Sequence, residues 1–113
     1  MAVEAVTKAE RKELRRLAWT AYDRELASEL GLLETKFVAW RQGGVDPHEL
    51  SDAIHEFHDG PSRNLFVFYT RMDPTVAVAR AVARGILRED EVPAVTLQKL
   101  APQVQFYRDD LTA

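Results

Sequence analysis

The chain has 113 residues, of which 46% are hydrophobic and 29% charged, with no cysteine and a formal net charge of −3. This length suits one domain that can bury about two thirds of its unfolded surface. The missing cysteines exclude a disulfide framework, a thiol nucleophile and a thiolate metal site. Charge is uneven: residues 1–45 carry +1 and residues 46–113 carry −4. An acidic chain is a poor non-specific ligand for nucleic acid, because phosphate contacts supply most of that affinity.

The N-terminus, MAVEAVTKAERKE, has an acid at position 4 and no long apolar run, so it does not read as a signal peptide. No stretch approaches the ~20 apolar residues that span a bilayer. The expected location is cytoplasmic, without membrane association.

Thr7 and Glu10 form a capping box, T-K-A-E, which starts a helix at Lys8. Trp19, Tyr22, Leu26, Leu30, Leu33, Phe37 and Trp40 then recur at helical spacing. The pattern runs through Gly31 and stops at Gly43-Gly44, where a glycine C-cap is expected. The result is one long helix of roughly 35 residues, with any bend at Gly31. At about 1.5 Å per residue it would reach some 50 Å, far beyond a compact domain of about 13 Å radius of gyration. Its projecting end calls for a partner, and a symmetric dimer is the commonest solution. The candidate interface is Trp19, Tyr22, Leu33, Phe37 and Trp40. Lys8, Arg11, Lys12, Arg15 and Arg16 make a basic face on the same helix, interspersed with Glu10 and Glu13 in the manner of a solvated surface.

Asp46 caps the second helix, Pro47 takes its first position, and Glu49 completes a capping box. Leu50, Ile54, Phe57, Pro61, Leu65 and Phe68 lie on one face. Pro61 interrupts the run, so the segment to Arg71 reads as a kinked helix or two short helices nearly in line. All three histidines are here. His48, Asp52, His55 and Asp59 form a polar stripe about 150° from the apolar one, and His58 falls at the apolar edge. His55, His58 and Asp59 are the candidate polar site, since imidazole and carboxylate at i, i+3 and i, i+4 can share a metal or a proton. The chain has no HExxH motif and no further histidine to complete a coordination sphere. The expectation is therefore no metal and no cofactor, with His58 partly buried and hydrogen-bonded. On that basis His58→Ala would cost about 1–3 kcal/mol.

Asp73-Pro74 repeats the cap-plus-proline start, and Gly85 closes a buried helix over Pro74–Arg84. Ile86 and Leu87 pack just past its end. Arg80, Arg84 and Arg88 stand at i, i+4 spacing, and residues 88–91, REDE, form a charged turn. Val92 to Leu100 is a short helix starting at Pro93. Leu97, Leu100, Val104, Tyr107 and Leu111 continue the stripe across Pro102, giving two helical pieces.

The sequence thus predicts a single all-helical domain over residues 1–113, an all-α small bundle. It has one long N-terminal helix, a Pro-kinked second helix antiparallel to the first, and shorter C-terminal helices. The functional expectation is an interaction or assembly protein, homodimeric or serving a protein partner. One alternative is a metal-dependent or acid–base enzyme using His55, His58 and Asp59. The other is a nucleic-acid regulator in which Ala81 and Gly85 mark a helix-turn-helix. That second alternative places acids at the start of its recognition helix.

Overall fold

A computed structural model of the chain describes residues 5–112. The first four residues, and the reading of them as part of no signal peptide, lie outside it. The described chain is all α-helical, in the order α1 (Lys8–Arg41), α2 (Pro47–Phe57), a π-helical turn (His58–Ser62), α3 (Arg63–Arg71), α4 (Pro74–Ala83), a 3₁₀ turn (Glu89–Glu91) and α5 (Ala94–Thr112). No helix among the described residues is long and apolar enough to cross a membrane.

Helix starts follow local chemistry. The Thr7 hydroxyl accepts from the Glu10 amide at 3.1 Å, and the Glu10 carboxylate accepts from the Thr7 amide at 2.8 Å. Asp46 caps α2 through the Glu49 amide, and Asp73 caps α4 through the Thr75 amide. Both helices begin with proline, whose absent N–H would have no intrahelical partner there. Two ends are also alike. Gly43 (φ 80°) and Gly85 (φ 75°) adopt left-handed backbone, and the Gly44 and Ile86 amides reach back to the Ala39 and Ala81 carbonyls at 2.9 Å. This six-to-one closure needs a residue without a Cβ penalty at positive φ.

Gly31 is different. It sits inside α1 with ordinary helical backbone, and no atom outside its own helix stands within 4 Å of where a Cβ would be. Gly31→Ala is accordingly expected to raise stability by about 0.5–1 kcal/mol, read as a higher urea midpoint at unchanged slope.

Pro61 lies in the π-helical turn. A regular helix would drive its ring into the Phe57 carbonyl and ask for a bond it cannot donate. The wider turn relieves both demands and takes up one extra residue. That residue accounts for the two successive four-residue steps, Phe57 to Pro61 to Leu65, in the apolar stripe. The second helix therefore stays in phase across the break and runs back along α1, with Tyr69 stacked on Tyr22 at 4.8 Å.

The core is small and lies at one end. Leu14, Leu17 and Ala21 of α1 pack with Val78, Ala79, Ala81 and Val82 of α4, Leu87 and Val92 of the connection, and Leu100 and Val104 of α5. The alanines allow close helix approach. Three expectations are corrected here. The Trp19–Trp40 stripe contributes no buried residue to this core; α1 uses the flank marked by Leu14, Leu17 and Ala21 instead. The C-terminal segment is one helix, because Pro102 is exposed and its lost bond falls on the solvent side, while Leu100 and Val104 stay buried on the other. The row of Arg80, Arg84 and Arg88 does not form, since α4 ends at Ala83 and Arg80 turns inward to Glu25.

Two carboxylates tie the ends of the bundle together. Glu10 accepts from Lys99 at 2.8 Å and from Thr96 at 3.0 Å, joining α1 to α5. Glu91 accepts from both terminal nitrogens of Arg24, at 2.8 and 2.7 Å, and from the Arg88 amide at 2.9 Å. Lys99 chiefly holds the Glu10 carboxyl down at about 2, and Arg24 does the same for Glu91, from an ordinary value of 4.5. A carboxyl whose folded pKa lies below its unfolded value stabilises the fold above the unfolded pKa. That stabilisation is lost as pH falls through the folded one. Thermal midpoints should thus drop between pH 4.5 and about 2, and Glu91→Gln should show a shallower drop over that window.

Candidate functional site: the open side of the helical hairpin

Beyond Ala21, α1 leaves the core and pairs only with the segment from α2 to α3. In this antiparallel hairpin Leu50 is the one buried side chain among the described residues of α2, the π turn and α3, and α1 has none after Ala21. Both helices nevertheless carry apolar stripes. The shape reflects this. The molecule measures 56 × 31 × 23 Å with a radius of gyration of 17.5 Å, against about 13 Å for a compact domain of this length.

The candidate interface residues divide along this hairpin. Tyr22 is satisfied within the chain, by its stack on Tyr69, and Trp19 packs edge-on against Tyr22 while remaining 65% exposed. Leu33 and Phe37 are half-buried, and Trp40 at the tip is 39% exposed. Leu30, Val38 and Ile54 are likewise exposed. An open groove of about 350 Å³ runs over Leu30, Leu33, Phe37 and Val38, with Glu34 and Arg41 at its margin. A second, of about 270 Å³, separates the helices on the other flank, between Leu32 and Lys36 of α1 and Ala53 and Phe57 of α2. These grooves are shallow and apolar, and no acid, base or nucleophile converges on either in the manner of a catalytic centre.

The histidines behave otherwise than expected. His48, His55 and His58 are all exposed, as are Asp52 and Asp59. Among the described residues no group of three or more His, Asp or Glu side chains is placed to hold a metal ion. His58 is not at a core edge, because nothing in the chain packs against the flank of α2 on which it lies. The stability cost expected of His58→Ala, which assumed a buried hydrogen-bonding partner, loses its basis.

The polar cluster that the fold does bury is one that spacing along the sequence could not reveal. Glu25 of α1 accepts from Arg80 of α4 at 3.2 Å and from the Tyr69 hydroxyl of α3. The Glu25 and Arg80 side chains are 16% and 14% exposed, and the Arg80 guanidinium also lies 4.4 Å from the centre of the Phe68 ring. Burial, followed by the hydrogen bond and charge of Glu25, pushes the Tyr69 phenol well above its usual range, so it stays a neutral donor. The only sequence signal was Glu25 itself, an acid four residues beyond Ala21 on the flank that faces α4. Every hydrogen bond of this cluster joins different helices. Its chemistry is that of a joint between the hairpin and the core, with no substrate-sized opening beyond an open groove of about 340 Å³ beside Glu25 and Arg24.

Comparison with protein-family models, curated proteins and solved structures found no match for this chain.

Proposed function

We propose that this protein is a helical assembly module that acts as a homodimer through the open side of its α1–α3 hairpin. The observation that carries the reading is the imbalance within one molecule. The α1–α4–α5 end has a closed core, whereas the hairpin has apolar stripes on both helices and one buried side chain, Leu50. Two helices cannot enclose a core, but two such hairpins can, as in four-helix bundles. Exposed large apolar side chains grouped on one face mark an interaction surface, and aromatic residues dominate the energetics of such surfaces.

Phe37→Asp places a charge in the middle of this face without touching the closed core. The expected result is a folded chain that sediments as a monomer, with wild type a dimer at micromolar concentration. Equal dimerisation of the variant and wild type would oppose the reading. The enzyme alternative gains no geometric support, since His55, His58 and Asp59 are solvent-facing and lie beside no enclosed pocket. The helix-turn-helix alternative needs a turn of 3–4 residues. Here α4 and α5 are joined by the stretch from Arg84 to Pro93, including its own 3₁₀ turn.

A further inference from the structure

The charges along α1 say how a second copy would lie. Asp23 and Arg41 are both exposed, and among the described residues neither has an ion-pair partner. They stand 18 residues apart in the sequence, about five full turns at 3.6 residues per turn, so they share one line along the helix some 27 Å apart. Between them, within about 60° of that line, come Leu26, Leu30 and Phe37. The open stretch of α1 therefore presents an apolar middle with an acid at one end and a base at the other.

We infer that two copies of this chain pair hairpin to hairpin, their α1 helices antiparallel, with each Asp23 set against Arg41 of the second copy. The inference rests on the homodimer reading above and adds its geometry. A two-fold interface brings residue i onto j and j onto i, so an acid and a base at opposite ends of one stripe are self-complementary in antiparallel packing. A parallel copy would set acid on acid and base on base, which is penalised. The two-fold then falls near Leu32, midway between Asp23 and Arg41. The overlap covers the open length of α1 and leaves the two closed cores at opposite ends. Each α1 has its own α2–α3 segment on one side and the second α1 on the other. Helical phase turns Ile54 of α2 to that same side, where it meets the second copy's α2. The four segments enclose the stripes that each hairpin leaves open, in an all-antiparallel four-helix arrangement.

The test is charge reversal with rescue. Asp23→Arg and Arg41→Asp both alter exposed side chains outside the closed core, and matching far-UV circular dichroism would verify that the variants fold. By sedimentation at 0.15 M salt, each variant alone should dimerise roughly tenfold or more weakly than wild type, because two like-charge contacts replace two pairs. An equimolar mixture restores opposite charges at both sites and should form a heterodimer of near wild-type affinity. A dimeric wild type whose variants dimerise equally well, or whose mixture shows no recovery, would overturn this arrangement and leave the dimer itself standing. A monomeric wild type would remove both.

Discussion

Arg80→Ala is expected to destabilise the protein by about 2–3 kcal/mol. The reason is what it strands. Glu25 is 16% exposed and takes its charge partner from Arg80, so truncation leaves a largely desolvated carboxylate with only the Tyr69 hydroxyl. Removing one member of a buried pair costs more than the pair itself contributes, although the residual exposure of both groups keeps this below the fully buried range of about 3–5 kcal/mol. The guanidinium's contact with Phe68 is lost as well. Replacing both partners with apolar groups, Arg80→Met with Glu25→Leu, should recover most of the loss. Denaturant unfolding of the single and double variants measures the coupling directly. A cost below about 0.5 kcal/mol for Arg80→Ala would show that water reaches Glu25 freely.

Leu100→Ala should cost about 3 kcal/mol, within the usual 2–5 kcal/mol for a fully buried leucine. Leu100 is 1% exposed and central to the contact of α5 with α4 and α1. Alanines line much of α4, and helices already packed this closely have little room to collapse into the vacated space. The same change at Leu30, which is 46% exposed, removes little that the single chain buries. Any larger loss there should grow with protein concentration, because it would come from the dimer. The two variants therefore separate stability held within one chain from stability held between chains.

Local chemistry made most of the fold legible. The Thr7–Glu10 box, the two Asp-Pro starts and the glycines at 43 and 85 act within six residues of themselves, and each placed a helix boundary to within a residue or two. Pro61 was legible as an interruption, while the π turn that resolves it depends on the whole hairpin staying in register. What the sequence concealed was which side of α1 is the core. A stripe with two tryptophans outweighs Leu14, Leu17 and Ala21 when residues are judged by size. Yet α4 is rich in alanine, and small residues are buried by close backbone approach rather than by their own bulk. The Glu25–Arg80–Tyr69 cluster joins residues 44 and 55 positions apart, beyond any local pattern. His58 was misplaced because the edge of an apolar stripe is buried only if something covers that edge.

The central claim is that the hairpin is half of a structure. Sedimentation equilibrium of the unmodified chain at about 1–50 µM tests it most directly. The account predicts a species of twice the 12.8 kDa chain mass, dissociating on dilution. A single-chain mass across that whole range would contradict it.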